Sequence, residues 1–400
     1  MRKKLFGNRA LYVLIIICCI FFRNIIAYAE DTGNSTNQYI IVKARVLKIT
    51  FDNTNLKGEV DNQSGSMYQN LNVMILSGKH KGEAYAMKNS VETIDVNKLI
   101  LSEGDEVLVN LTENEKGEVT TIHVYDRVRE HVSYVLVIIF MLSLALIGGL
   151  KGMKSILTLI FTCGMIGLVL LPLILHGYSP VIAAMLVCIL IVTVTLTFIG
   201  GINKKVFSAV IGSVGGVLLA GIIALLSGKA AKVTGLASDN AQMLAFVHKG
   251  LNLNYQGILF AAIIIGALGA VMDVSISIAS SMSEIEAIKP NISKKELIKS
   301  GMNVGKDIMG TMSNTLILAY TGGALQLLLL YMVTKVSFTQ IINFDMITTE
   351  IITAMAGSIG LVWTIPLTTL STVFVGNISG QFKFKKGEEK KERHQRKRDS

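Results

Sequence analysis

Two rhythms divide the chain. From about residue 37 to 129 apolar and polar residues alternate, and YIIVKARVLKI (39–49), LNVMILSG (71–78), KGEAYAM (82–87), GDEVLVNLT (104–112) and VTTIHVYDRV (119–128) carry the period of two that marks strands. Asp52-Asn53, Ser77-Gly78, Glu103-Gly104 and Lys116-Gly117 punctuate them as turns. Five short strands in under about a hundred residues predict a small barrel of the OB or SH3-like kind. Such barrels often bind nucleic acid or sugars, but fold alone does not carry that function. A packing or gating module on the outer face of a membrane fits the context better.

Beyond Glu130-His131 the alternation gives way to long apolar runs, expected to form seven spans at 132–150, 155–175, 180–201, 206–227, 257–281, 311–334 and 348–375. Each is long enough to cross about 30 Å of hydrocarbon at about 1.5 Å per residue. The predicted fold class is therefore an α-helical integral membrane protein of seven transmembrane helices with an N-terminal extracytoplasmic β-barrel. The 400 residues are 51% hydrophobic and 16% charged, which agrees.

Charge sits at the ends. Five of the 38 Lys and Arg precede Ala29, and nine, against four acids, lie in the last twenty residues, so the basic balance says little about nucleic acid. The opening segment joins a basic stretch, an apolar core from Leu11 to Phe22 and Ala27-Tyr28-Ala29 before Glu30. It reads as a signal peptide cut after Ala29, the alternative being an uncleaved anchor. The predicted organisation is 1–29 signal peptide, 30–131 outer β-rich domain, 132–376 membrane domain and 377–400 basic cytoplasmic tail. That tail either lies against anionic headgroups or is a solvated stop-transfer segment. Cys18 and Cys19 fall in the leader and Cys163 and Cys188 in apolar runs, so the outer domain has no disulfide framework.

Lysines orient the spans. If the β-rich domain is outside, the cytoplasmic connections carry Lys151 and Lys154, then Lys204 and Lys205, then Lys289, Lys294, Lys295, Lys299 and Lys306. The opposite connections carry none near HGYSP, then Lys229, Lys232 and Lys249, then Lys335. This predicts a multi-pass bacterial cell-membrane protein with its N-terminal domain outside and its tail in the cytoplasm.

Within the apolar runs a few groups call for explanation. Gly212, Gly216 and Ala220 repeat every four residues, as do Gly266 and Ala270, a spacing that lets helix backbones approach. In GALGAVMDVSISIASSM (266–282) a single carboxylate, Asp273, begins a helical face shared with Ser277, Ser280 and Glu284. Such a group cannot snorkel to the interface and costs about 2.5 to 3.5 kcal/mol near a helix centre, so it must face protein or water. Asn303, Asp307, Thr311, Asn314 and Thr321 follow helical spacing in the next span, where Asn314, Thr311 or Lys306 could meet Asp273 along a water-lined path. A carboxyl so placed is what a proton-coupled or cation-binding site requires. The alternative is that the helix stops near Met272 and that Lys306 and Asp307 are an ordinary charged entry to the next span. Glu350 is a weaker candidate. Trp363, Pro366 and Thr364, Thr368 and Thr369 suggest a kink whose freed carbonyl hydroxyls or a substrate could satisfy.

No HExxH, GxSxG or nucleotide-binding GxxxxGK[ST] occurs, and His176 and His248 stand alone, so the chain is not expected to be an enzyme or to hold a cofactor or metal. Without a phosphate loop, transport would be driven by a gradient or a partner. On the segments GALGAVMDVSISIASSM and SGMNVGKDIMGTMSNTLILAYTG the sequence resembles the YibE/F-like family of bacterial multi-pass membrane proteins, from about Lys43 to Gly376. The resemblance implies an integral membrane protein and brings no substrate or site residue with it. The function expected from the residues is a permease for a small solute or ion, with Asp273, Ser277, Ser280, Asp307, Thr311 and Asn314 along its path. The alternative is a non-transporting scaffold whose barrel recruits an envelope partner. Expected partners are the lipid bilayer and a second copy or another membrane or envelope protein, not nucleic acid.

Overall fold

A computed structural model describes residues 39–52, 54, 66–92, 99–114, 117–247 and 253–396, with side chains as far as residue 376. The expected signal peptide and His248 lie outside the described residues. The chain forms two compact units that meet between Leu146 and Ile147.

The first unit holds β1 (Tyr39–Asp52), β2 (Ser66–Ile75), β3 (Ala84–Glu92), β4 (Glu106–Glu113) and β5 (Val119–Arg127). All five expected strands are present. They pair antiparallel in the order β3-β2-β1-β4-β5, curled as a half-barrel. Val42, Ala44 and Val46, Leu71, Val73 and Ile75, and Val107, Val109 and Leu111 alternate into one core, the face that the period of two assigned to it. One amide is buried with them. Gln69 Nε2 donates to the Leu101 carbonyl at 3.0 Å and to Asp52 Oδ2 at 2.9 Å, and its Oε1 accepts from Leu101 N–H at 2.9 Å, so this polar group is satisfied.

The helices are α1 (Glu130–Met165), α2 (Leu171–Leu175), α3 (Pro180–Gly200), α4 (Lys204–Ala230), α5 (Asp239–Val247), α6 (Tyr255–Ile288), α7 (Lys294–Gly323), α8 (Leu325–Val333), α9 (Phe338–Asn343) and α10 (Asp345–Arg396), with a π-helical turn at Ile166–Leu170 between α1 and α2. Among the described residues five helical segments are long and apolar enough to cross a membrane, or six if α7 and α8, bent by 56°, form one span. The count differs from the expected seven. The first two expected spans fuse into one apolar segment, Glu130–Leu175, interrupted only where Gly149 takes φ 51 and ψ −131. From Val132 to Phe140 every residue of α1 is exposed and all but Ser133 are apolar, so this stretch is apolar on every side.

Two further differences concern the middle of the chain. The stretch 283–307, read as a cytoplasmic loop, is the tip of a helical hairpin turned within Lys289–Ser293. Ser293 and Glu296 close a capping box that starts α7. The sixth expected span, 311–334, instead begins at Lys294 and bends at Ala324, just past Gly322-Gly323. Asn203 and Asn254 cap α4 and α6 through Val206 N–H and Gly257 N–H.

The helical core is built on small residues. Gly212 and Gly216 of α4 lie flat against Thr368 and Thr364 of α10, and Gly360 of α10 lies against the Gly216 carbonyl and Ala220. A side chain at Gly216 would occupy the place of Thr364 Oγ1, and its α-carbon faces the Gly360 carbonyl as well. At that range glycine Cα–H groups point at hydroxyl and carbonyl oxygens, contacts of about 0.5 to 1 kcal/mol each. The expected role of Gly212, Gly216 and Ala220 is therefore observed. Gly266 and Ala270 build no comparable helix crossing: Gly266 is exposed, and only the Tyr320 hydroxyl approaches it. Gly301 and Gly305 of α7 take that part instead, against Met282 and Thr369, and against Ile365.

Two measurements test this architecture. Gly216→Ala should destabilise the helical unit by roughly 1 to 3 kcal/mol through overpacking, and Thr364→Ala in the same chain should restore most of the loss, read as thermal unfolding in detergent. In the strand unit, carboxylates are held below their ordinary range: Glu83 by the Tyr85 hydroxyl and by His80, Glu106 by Arg45 and then His131, and Asp126 by Arg129 and the Arg127 N–H. Groups lowered in the folded state contribute stability above their unfolded values, 4.5 for Glu and 3.8 for Asp, and lose it as pH falls through the folded ones. Protection of the strands from hydrogen exchange should thus fall as pH drops below about 5.

Candidate functional site

α6 runs unbroken from Tyr255 to Ile288, so it does not stop near Met272. Asp273 lies about 22 Å from its C-terminal end and about 27 Å from its N-terminal end, at mid-helix. The core side of α6 carries Ile264, Val271, Ser275, Ile278 and Met282, all buried. Asp273 stands about 180° round the helix from Met282 and Ile264 at 100° per residue, and it is exposed. Ala262, Gly266, Gly269, Ser277 and Glu284 are exposed on the same strip, and Ser280 is half-buried there. The residues expected to share a face do share one, but it is the outer face, free of aliphatic side chains over most of the helix.

α7 repeats this arrangement. Leu297, Gly301, Gly305 and Leu316 form its packed side, while Asn303, Asp307, Gly310, Thr311 and Asn314 are exposed on the other. The Thr311 hydroxyl donates to the Ile308 carbonyl of its own helix at 2.9 Å, and Thr321 does the same to Ile317 at 2.8 Å. Asp273, Ser277, Ser280, Asp307 and Asn314 make no side-chain hydrogen bond or ion pair, so the expected meeting of Asp273 with Asn314, Thr311 or Lys306 is not made within one chain.

The two strips nevertheless stand at matching depth. α6 and α7 run antiparallel, with Met282 against Gly301 at one end and Gly266 against Tyr320 at the other. Interpolation between these contacts sets Asp273 level with Thr311, Ser277 with Asp307, Ser280 with Asn303 and Glu284 with Lys299, each to within about a residue.

A second polar feature was not assembled from the sequence. Ser213 and Ser275 share a hydrogen bond between α4 and α6, and Ser371 donates to the Ser208 carbonyl at 2.9 Å between α10 and α4. Thr364 donates to the Gly360 carbonyl at 2.8 Å, while the hydroxyls of Thr368 and Thr369, fully buried, have no conventional partner. The signal was present in TIPLTTLSTV, read only as a possible kink; α10 stays helical across Pro366. Glu350 is half-buried on α10 and unpaired, and the His176 ring bonds its own turn at the Pro172 carbonyl. Among the described residues no three His, Cys, Asp or Glu side chains are grouped to hold a metal ion.

What a helix pair with these strips can do depends on what surrounds it, and comparison with known proteins gives the setting. A profile described as YibE/F-like protein matches residues 136–377, and one described as the YibE/F family N-terminal domain matches residues 37–126. The chain belongs to the YibE/F-like family. No curated protein and no solved structure matches it. The helical match contains both strips, and the N-terminal match covers the strand unit as far as β5.

Proposed function

We propose that this chain is a multi-pass membrane permease for a small solute or ion, driven by a gradient or a partner, with Asp273 taking up the proton or coupling cation. The observation that carries the reading is the carboxylate of Asp273 at the middle of α6, without a side-chain hydrogen bond or ion pair, on a strip of small and hydroxyl residues level with the strip of α7. Hydrocarbon is a costly place for such a strip, and a water-containing path is a favourable one. Ser277, Ser280, Asp307, Thr311 and Asn314 continue the path toward the hairpin tip, where Glu284 and Lys299 stand.

The proposal includes a topology. The segment Glu130–Leu175 is about 69 Å long as a helix, twice the hydrocarbon thickness, and its break at Gly149 lies beside Lys151 and Lys154. Counting it as two crossings, and α7 with α8 as one, gives seven. The N-terminal domain is then outside a bacterial cell membrane, behind a signal peptide, and the basic tail is cytoplasmic. The lysine-rich hairpin tip at Lys289–Ser293 falls on the cytoplasmic side, as the positive-inside bias asks.

A scaffold role is the second reading, favoured by one feature of the strand unit. Phe51 stacks on Tyr68 at 5.1 Å and Lys88 lies 3.9 Å from the Tyr68 ring centre, an aromatic and cationic patch suited to an envelope partner. Flux into reconstituted vesicles separates the two. Asp273→Asn should lower proton or solute flux by roughly tenfold or more with assembly intact; unchanged flux, with assembly or partner capture lost, would favour the scaffold. For orientation, a cysteine at Ser293 should resist a membrane-impermeant maleimide added to intact cells, and ready labelling would reverse the topology.

A further inference from the structure

The strips of α6 and α7 pose a problem that one chain does not solve. Both point away from the packed core, and their carboxylates have no partner within the chain. Glycine adds a second observation. Gly212, Gly216, Gly301, Gly305 and Gly360 are each pressed against a neighbouring helix, which accounts for their lack of a side chain. Gly269 on the α6 strip and Gly310 on the α7 strip, like Gly148, Gly167, Gly322 and Gly323 elsewhere, have nothing within 4 Å of where a Cβ would stand, although each costs its helix about 1 kcal/mol relative to alanine. Open glycines beside unpaired carboxylates leave room for a helix that approaches from outside.

We infer that a second copy of this chain covers the two strips, with α6 of each protomer lying against α7 of the other around a two-fold axis along the membrane normal. It rests on the permease reading in that the same strips line the path, and it names what closes that path against lipid. A two-fold axis along the normal preserves depth, so residues that are level within one chain meet between chains. Asp273 then faces the hydroxyl and amide of Thr311 and Asn314, Ser277 faces Asp307, Ser280 faces Asn303, and Glu284 faces Lys299. Charge selects this pairing over its rival. An α6-to-α6 contact would set Asp273 and Glu284 against their own copies, whereas the α7 strip sets Lys299 against Glu284 and the uncharged Thr311 and Asn314 against Asp273, with its one acid, Asp307, a turn away at Ser277. The partner copy thereby contributes half of each path.

The test uses two differently tagged full-length copies with Cys18, Cys19, Cys163 and Cys188 replaced by serine. One copy carries Ser280→Cys and the other Asn303→Cys, and a short bismaleimide is applied in membranes. The expected result is a mixed-tag dimer about tenfold more abundant than from Leu186→Cys paired with Asn303→Cys, Leu186 being exposed on α3. A Cβ at Gly269 or Gly310 meets nothing within 4 Å in its own chain, so Gly269→Leu and Gly310→Leu should leave thermal unfolding of the protomer in place and reduce the mixed dimer by about tenfold. Equal crosslinking by the control pair, or mixed dimer undiminished by both leucines, overturns the pairing, as does a monomeric mass in nanodiscs. Flux from such monomers would remove the dimer and keep the permease; a strong mixed dimer without flux would do the reverse.

Discussion

The contact between α4 and α10 sets the terms for the rest of the helical unit. Two backbones that touch through Gly212, Gly216 and Gly360 leave no gap for a lipid tail or for water, and they fix the height and rotation of α10. Lipid tails are as apolar as leucine, so helices in a membrane gain little from hiding aliphatic surface from one another; close packing and polar contacts must supply the association. Once α10 is fixed, its other sides become docking surfaces. Thr369 and Ile365 receive Gly301 and Gly305 of α7, and Gly357 lies near Ala267 of α6. Three helices therefore reach α10 through small residues, and the whole unit is keyed to one helix.

That arrangement explains where the hydroxyls went. Thr364 and Thr368 are needed at the crossing because their oxygens lie where the glycine Cα–H groups point, which partly offsets the missing conventional donor for Thr368. Thr364 also returns its proton to the Gly360 carbonyl, in the usual manner of helical threonine. Ser213 and Ser275 satisfy each other one turn away. Hydroxyls can be buried in this way because each needs a single partner and can borrow a carbonyl from its own helix. A carboxylate has no such local remedy. Asp273 and Asp307 consequently stand on the opposite faces of their helices, outside the seam.

Much of this was legible in the sequence. Period-two alternation found the five strands because one face of the sheet is a core, and the Gly212 spacing found the close crossing, although the same spacing at Gly266 and Ala270 marks none. Three things were not legible, for separate reasons. Charged helix ends look like loops, so the hairpin tip around Lys289–Ser293 was hidden behind its own glutamates and lysines, with Pro290 as the only sharp signal. The break at Gly149 was marked by Lys151 and Lys154 just after it, but helical residues continue on both sides, so its form, a single residue out of helical geometry rather than a loop, was not legible. The Asp273 strip was found but its direction was not: helical spacing gives relative angle, while the direction of the core depends on which neighbours press from where.

The direction matters because it changes what the polar strip implies. An inward carboxylate would be explained by a partner in the same chain, and the sequence offered Asn314, Thr311 and Lys306 for that purpose. An outward one at mid-helix has to be met by water or by another protein if the helix spans a membrane, since a short side chain there does not reach the headgroups. The strand unit is built on a different principle, with a core of alternating aliphatics around the buried amide of Gln69. The helical unit presents apolar helices long enough to cross a membrane together with a polar flank on α6 and α7. Its core is apolar and close-packed from α10 to the inner sides of α6 and α7, and the polar residues of those two helices lie on the faces turned away from it.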